Sequence, residues 1–321
     1  MSSSHVPPDP ATEPESDEVL PSGVIPPILT PLTPERELDV SSLERLCTFL
    51  LDAGVAGLFV AGSTGEAAYL TDQLRARVLQ VVVSFTARQV PVLAGVIDMT
   101  TPRVVDRARA AVRHGANALV ATAPFYAPTH PAEIELHFRT LRAAVDVPIV
   151  AYDIPSAVHT KLPAELVTAL AQEGVLAGVK DSSGDLDGFR DVARPAGAPS
   201  FKAYTGSEVH ADLALLLGAA GLVPGLGNVD PAGFVRLYQA ARRGDWTAAM
   251  AEQERLRRLS RIITVGDQRR IGRYSSAIGA FKSALVQRGI LAHATTSLPM
   301  LPLNDVEVDA VTTHLRDAGL L

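Results

Sequence analysis

The chain has 321 residues, 47% of them hydrophobic and only 5% aromatic, which suits one large α/β domain with the aliphatic core that parallel sheets prefer. Five of its six net negative charges (Asp9, Glu13, Glu15, Asp17 and Glu18) fall within residues 1–20, which hold no Lys or Arg and leave −1 for the rest. A near-neutral body without a basic block argues against nucleic acid as a partner, and a lone cysteine, Cys47, excludes a disulfide framework within the chain and points to a reducing cytoplasm.

The elements follow in chain order. Residues 1–20 combine those acids with Pro7, Pro8, Pro10 and Pro14, the composition of a disordered tail. The start has no basic region followed by an apolar one, so it does not read as a secretory signal, and no later run approaches the length of a membrane span. From about residue 21, short aliphatic runs alternate with segments whose apolar residues recur every three or four positions. The expected strands are 24–29, 57–61, 91–95, 118–122, 148–152, 175–180, 201–205 and 221–224. The expected helices begin near Ser41, Thr71, Thr101, Pro131, Pro163, Leu186, Glu208 and Pro231, several behind a Thr, Ser or Asp cap or a first-turn proline. Eight βα units over 21–244 predict a (β/α)8 TIM barrel, with a doubly wound open sheet as the alternative. Residues 245–321 turn wholly helical, near 245–262, 270–288 and 305–319, a C-terminal extension suited to a cap or an oligomer contact.

Four expected strands end in chemical groups. Lys180 closes the run Val175-Leu176-Ala177-Gly178-Val179 before the polar Asp181-Ser182-Ser183-Gly184-Asp185. At the mouth of a parallel core an amine is partly desolvated, and desolvation favours the neutral form that attacks a carbonyl. The structural alternative is a strand-end lysine that reaches water while its stem covers apolar surface. Tyr152 closes Val147-Pro148-Ile149-Val150-Ala151, and a phenol beside an amine and a carbonyl can move the protons of imine formation. The strand Gly57–Ala61 turns out through Gly62-Ser63-Thr64-Gly65-Glu66, whose backbone N–H groups and hydroxyls suit an anion. The strand ending at Thr122 runs into Phe125-Tyr126. Each feature alone is an ordinary turn or packing element; together they lie where a barrel enzyme keeps its site. No zinc-type spacing and no dinucleotide-binding glycine pattern accompanies them.

The segments Gly62-Ser63-Thr64-Gly65-Glu66, Tyr152-Asp153-Ile154-Pro155 and Gly178-Val179-Lys180-Asp181-Ser182-Ser183-Gly184-Asp185 resemble the three signatures of the dihydrodipicolinate synthase/N-acetylneuraminate lyase family, over about residues 23–320. The resemblance implies a class I Schiff-base enzyme on a (β/α)8 barrel, commonly tetrameric, that takes pyruvate or a 2-oxo acid yielding it. It implies that Lys180 forms the imine and Tyr152 carries protons. It places Ser63 and Thr64 at the carboxylate, with Ser63 also in a proton relay. By the same resemblance Gly206 and Val223 lie near the imine, and Tyr126 reaches a neighbouring subunit's site. His159 and Lys161, just past Tyr152, are candidates for the distal part of the substrate, with packing on the loop as the alternative for His159.

Departures from the family pattern narrow the reading. The synthases carry an arginine five residues after this tyrosine, where Ala157 stands. Their lysine-feedback positions hold Ala67, Asp72, Arg75, Met99, Arg103 and Phe125. Of the sialic acid lyases' Asp-Glu pair only Glu208 is kept, after Ser207. The expectation is therefore a reversible aldolase/lyase acting on pyruvate or a 2-oxo-3-deoxy sugar acid, with no metal and no cofactor beyond the Lys180 imine, assembled as a homotetramer of tight dimers. The alternatives are a dihydrodipicolinate synthase, a 2-oxo-3-deoxy acid dehydratase, or a ligand sensor on a retained barrel.

Overall fold

The structure, a computed structural model, describes residues 20–321. The tail expected over 1–20 lies outside these residues except for its last member. Leu20 is buried against the inner face of the sheet, so the core takes in a residue that the sequence reading gave to the tail.

The first half alternates strictly: β1 (Gly23–Val24), α1 (Val40–Asp52), β2 (Leu58–Val60), α2 (Asp72–Thr86), β3 (Val92–Gly95), α3 (Thr101–Arg113), β4 (Ala118–Thr122) and α4 (Pro131–Ala144). Then come β5 (Ile149–Asp153), a short α5 (Pro155–Val158), α6 (Ala164–Gln172), β6 (Gly178–Asp181), α7 (Leu186–Ala193), β7 (Lys202–Thr205), α8 (Ala211–Leu217), β8 (Gly221–Leu222) and α9 (Pro231–Arg242). The helices α10 (Trp246–Leu259), α11 (Arg273–Gln287) and α12 (Asp305–Asp317) follow. Caps start the helices as their residue types dictate: Thr71 accepts from the Leu74 N–H before α2 and Asp245 from that of Ala248 before α10.

All strand pairs are parallel, in the order β1-β8-β7-β6-β5-β4-β3-β2. The sheet curls with its helices outside, an α/β TIM-barrel-like fold. Beyond the last ladder, Val24 O accepts from Ala56 N–H at 2.8 Å, Pro26 O from Phe59 N–H at 3.0 Å, and Phe59 O from Ile28 N–H at 2.9 Å. The expected strand 24–29 shrinks to Gly23–Val24 because Pro26 and Pro27 have no N–H to give a ladder. The expected 175–180 moves to Gly178–Asp181 because the Val175 and Leu176 N–H groups both turn back to Leu170 O. None of the helices among the described residues is long and apolar enough to cross a membrane.

Alternation along each strand splits the core in two. Leu58, Val60, Leu119, Ala121, Ile149, Ala151, Val179 and Ala203 face the helices in one large cluster. Phe59, Leu93, Val120, Val150, Tyr152 and Tyr204 fill the interior of the curl. This period of two decides the site. Tyr152 follows Val150 onto the inner face, and its register partner is Lys180, which in turn neighbours Tyr204.

Candidate active site

The register row Thr122, Tyr152, Lys180 and Tyr204 crosses four neighbouring strands near their C-terminal ends. Lys180 is 5% exposed, and its Nζ lies 4.1 Å from the centroid of the Tyr152 ring and 5.0 Å from that of Phe59. It stands over an aromatic floor with little water. Tyr152 is equally buried. Burial alone would raise its phenol; the Lys180 charge and hydrogen bonds with Ser63, Ser182 and Lys180 outweigh that and hold the pKa below the ordinary tyrosine value.

Glycine makes room for the lysine. A Cβ at Gly206 would stand 3.0 Å from Lys180 Cε and 2.1 Å from Ser182 Oγ, so any other residue there would displace the amine or the serine. On the outer face the carboxylates of Asp153 and Asp181, register partners one residue past Tyr152 and Lys180, share the Lys161 ammonium, which lies 3.0 Å from Asp181 Oδ2 and in ion-pair contact with Asp153. Burial raises the Asp153 pKa although Lys161 opposes it. This clamp holds β5 and β6 side by side and so fixes the tyrosine against the lysine.

The Gly62–Glu66 turn approaches from the end of β2. Ala61 and Glu66, at its two ends, have φ of 56° and 63°, a left-handed backbone that aims the intervening Ser63 and Thr64 back over the strand ends. Gly65 is required because a Cβ there would meet Ile28 O at 2.9 Å. The turn is tied to the C-terminal helices. The Tyr274 hydroxyl of α11 donates to Ser63 O. The Glu66 carboxylate pairs at 2.5 Å with Lys282 of the same helix, and both side chains are fully buried. Lys282 also donates to Thr295 O and Glu66 accepts from the Ser297 N–H. Burial lowers the Lys282 pKa, with Glu66 pulling it back up. Two charges sealed from water persist only when paired and hydrogen-bonded in this way.

A cavity of about 560 Å³ opens beside the turn. Ser63 and Thr122 line its inner part; Tyr69, Ile97, Phe125, Ile154, Ala157 and Val158 form most of its wall, and Arg273 and Tyr274 enter from α11. The buried Thr122 hydroxyl has no hydrogen-bond partner within the described residues. The arrangement offers a buried amine, a phenol with a lowered pKa, a hydroxyl-rich turn and a cavity of a size for a small organic molecule.

The model of the Dihydrodipicolinate synthetase family matches residues 20–318. The chain belongs to that family. It is thus an enzyme of a family of lyases. An uncharacterized DapA-like lyase of Halobacterium salinarum is 36% identical over 93% of this chain and 94% of its own length. A 4-hydroxy-tetrahydrodipicolinate synthase of Xanthomonas axonopodis pv. citri is 34% identical over 92% and 94%. Among solved structures, YagE of E. coli K12, a prophage protein of the dihydrodipicolinic acid synthase family in complex with pyruvate, superposes with a TM-score of 0.87 at 27% identity, covering 94% of this chain and 99% of its own.

Of the residues expected at a family site only Ser63 lines the cavity itself; Lys180, Tyr152, Thr64 and Gly206 are not among its lining residues. Lys161 is committed to Asp153 and Asp181 and is not available to the distal part of a substrate; its partners lie far enough away in sequence to hide the pairing. His159 ends α5 with φ 57°; it is exposed and is not one of the cavity's lining residues. Tyr126 is 91% exposed with φ 79°, and it is not one of the cavity's lining residues. Glu208 accepts from the N–H groups of Leu226 and Gly225, and burial raises its pKa against these bonds and the nearby Lys180, so its carboxylate holds a loop. Val223 is buried on the inner face. Sequence reading missed Ser182, Thr122, Arg273, Tyr274 and Lys282. Lys282 carried a signal, a charge inside the apolar run Ile278-Gly279-Ala280-Phe281 and Ala284-Leu285, and Ser182 stood within the signature after Lys180; the others carried none.

Proposed function

We propose that this enzyme forms a Schiff base between Lys180 and a 2-oxo acid and reversibly cleaves a 2-oxo-3-deoxy acid to pyruvate and an aldehyde. The observation that carries the reading is the pairing of a buried lysine with a buried tyrosine whose phenol pKa is lowered. Neutral Lys180 attacks the C2 carbonyl, and loss of water leaves a protonated imine. Ser63 and Thr64 hold the adjacent carboxylate. Tyr152, linked to Ser63, takes the proton from the C4 hydroxyl; the C3–C4 bonding pair flows into the imine as an enamine, and the aldehyde leaves. The enamine regains a proton at C3 and water releases pyruvate from Lys180. No cofactor enters this scheme.

Gly206 and Val223 flank the amine as backbone contacts, and His159 is left to a closed or assembled state. The bonds from the chain after β1 to β2 support a barrel closed on itself. Tyr126, exposed on a loop, supports an assembly in which it meets a neighbouring copy, a tetramer of tight dimers in this reading. Borohydride with pyruvate should inactivate the enzyme and label Lys180. Labelling of another lysine, or of none, would sink the mechanism.

The names of relatives such as the Xanthomonas protein favour a second reading, condensation of pyruvate with aspartate semialdehyde. Ala157 weighs against it, because a methyl group cannot replace a bidentate carboxylate donor. In a coupled assay kcat/KM should stay below about 10⁴ M⁻¹s⁻¹, the lower end for ordinary enzymes, without inhibition by lysine; a higher value would favour the synthase.

A further inference from the structure

The cavity beside Ser63 has an uneven chemistry. Its inner end carries the hydroxyls of Ser63 and the unpartnered, buried Thr122. Its walls are mostly apolar, with Ile97, Phe125, Ile154, Ala157 and Val158; Tyr69, Ser156 and Tyr274 also line it, and the Tyr274 hydroxyl is spent on Ser63 O. Arg273 is the one charged side chain among the described lining residues. It is exposed, so it stands at the rim, and its guanidinium makes no ion pair or hydrogen bond within the described residues. It opens α11, a helix of 15 residues whose first turn has no acidic side chain. The N–H groups at that terminus therefore add to the positive potential at the same rim. Walls with so few free hydroxyls leave most hydroxyls of a polyhydroxylated chain without partners, and unpaired hydroxyls are costly to bury. A guanidinium without a partner, facing a cavity, is suited to a planar carboxylate.

We infer that Arg273 is the specificity-determining residue for the distal part of the substrate, and that the substrate class is a 2-oxo acid with an apolar body ending in a second carboxylate. The inference rests on the Schiff-base reading, because the 2-oxo head must be held at Lys180 for the tail to reach the rim. It also gives the apolar wall around Ala157 a purpose: the charge for a distal carboxylate comes from α11 and not from the loop after β5.

The test uses imine trapping alone and needs no second reactant. The full-length enzyme is incubated with borohydride and each of 2-oxoglutarate, 2-oxoadipate and 2-oxopimelate, and with 2-oxopentanoate, 2-oxohexanoate and 2-oxoheptanoate. The half-saturating concentration for labelling Lys180 is read by mass spectrometry, with pyruvate as the reference. A charge-assisted contact should make at least one dicarboxylate saturate about tenfold lower than the monocarboxylate of equal length. In Arg273→Leu that preference should vanish while labelling by pyruvate stays unchanged, and Arg273→Lys should keep part of it. Dicarboxylates no better than monocarboxylates at any length, or a preference that survives in Arg273→Leu, overturn the inference while leaving the Schiff base standing. Absence of pyruvate labelling in the wild-type enzyme overturns the Schiff-base reading and this inference with it.

Discussion

Tyr152 and Lys180 are joined by register, and register follows from alternation. A shift of one residue in β5 would turn the phenol outward among the helices and bring Asp153 inside. The outer clamp of Asp153, Lys161 and Asp181 opposes such a slip, since it can form only when both carboxylates face outward together. The phenol itself can be removed without disturbing this frame. Tyr152→Phe should therefore fold and assemble as the wild type does, while turnover falls by roughly two to four decades, the usual worth of a general acid–base group. Steady-state kinetics on the substrate that releases pyruvate checks this, and near-normal turnover would take Tyr152 out of the proton path. At this scale the sequence exposed the lysine, the tyrosine and the Ser63-Thr64 turn, because each ends or follows an apolar run. It singled out Lys161 but concealed its pairing, since nothing local reveals that residues 153 and 181 become neighbours.

The helices repay attention through their buried polar groups. His137 of α4 is 1% exposed, packs edge-on against Phe138 with ring centroids 5.1 Å apart, and lies with Nδ1 2.9 Å from the Thr101 hydroxyl at the start of α3. Burial lowers its pKa to about 4, only partly offset by the Thr122 backbone. The unfolded chain then binds a proton near pH 6.5 that the folded one refuses until about pH 4, so this contribution is complete above the higher value and is lost as pH falls through the window. The loss is on the order of 3 kcal/mol. Urea unfolding followed from pH 7 to 4 should show a steeper decline for the wild type than for His137→Gln; parallel declines would exclude His137 as the source. Element positions were legible from the period of the apolar residues, and helix starts from their caps. Strand ends were less so, because Pro26-Pro27 and the turn back to Leu170 cut or shift runs that composition alone would extend.

For the whole molecule, Tyr126 poses the question of assembly. A tyrosine at φ 79° is in a backbone region that bulky side chains avoid, and at 91% exposure it packs little against the described residues to offset that strain. A second copy would supply the missing contacts, and closed symmetric assemblies are the common outcome. Light scattering at working concentrations should find a homo-oligomer, most simply a tetramer, and Tyr126→Ala should weaken activity more than it weakens the fold of one subunit. A fully active monomer would remove the shared-site role of Tyr126.

The Glu66–Lys282 pair also bears on how this protein can be cut, shuffled or inherited. Glu66 belongs to the first quarter of the chain and Lys282 to its last, yet each supplies the opposite charge for the other where both are fully buried. The βα repeat is thus not a self-sufficient module to which a helical appendage was added. A chimera joining residues 20–244 to a foreign C-terminal segment would have to import a lysine at the same depth, along with a hydroxyl for Ser63 O, or leave the Gly62–Glu66 turn with an orphan carboxylate underneath. A substitution at either end is therefore felt at the other.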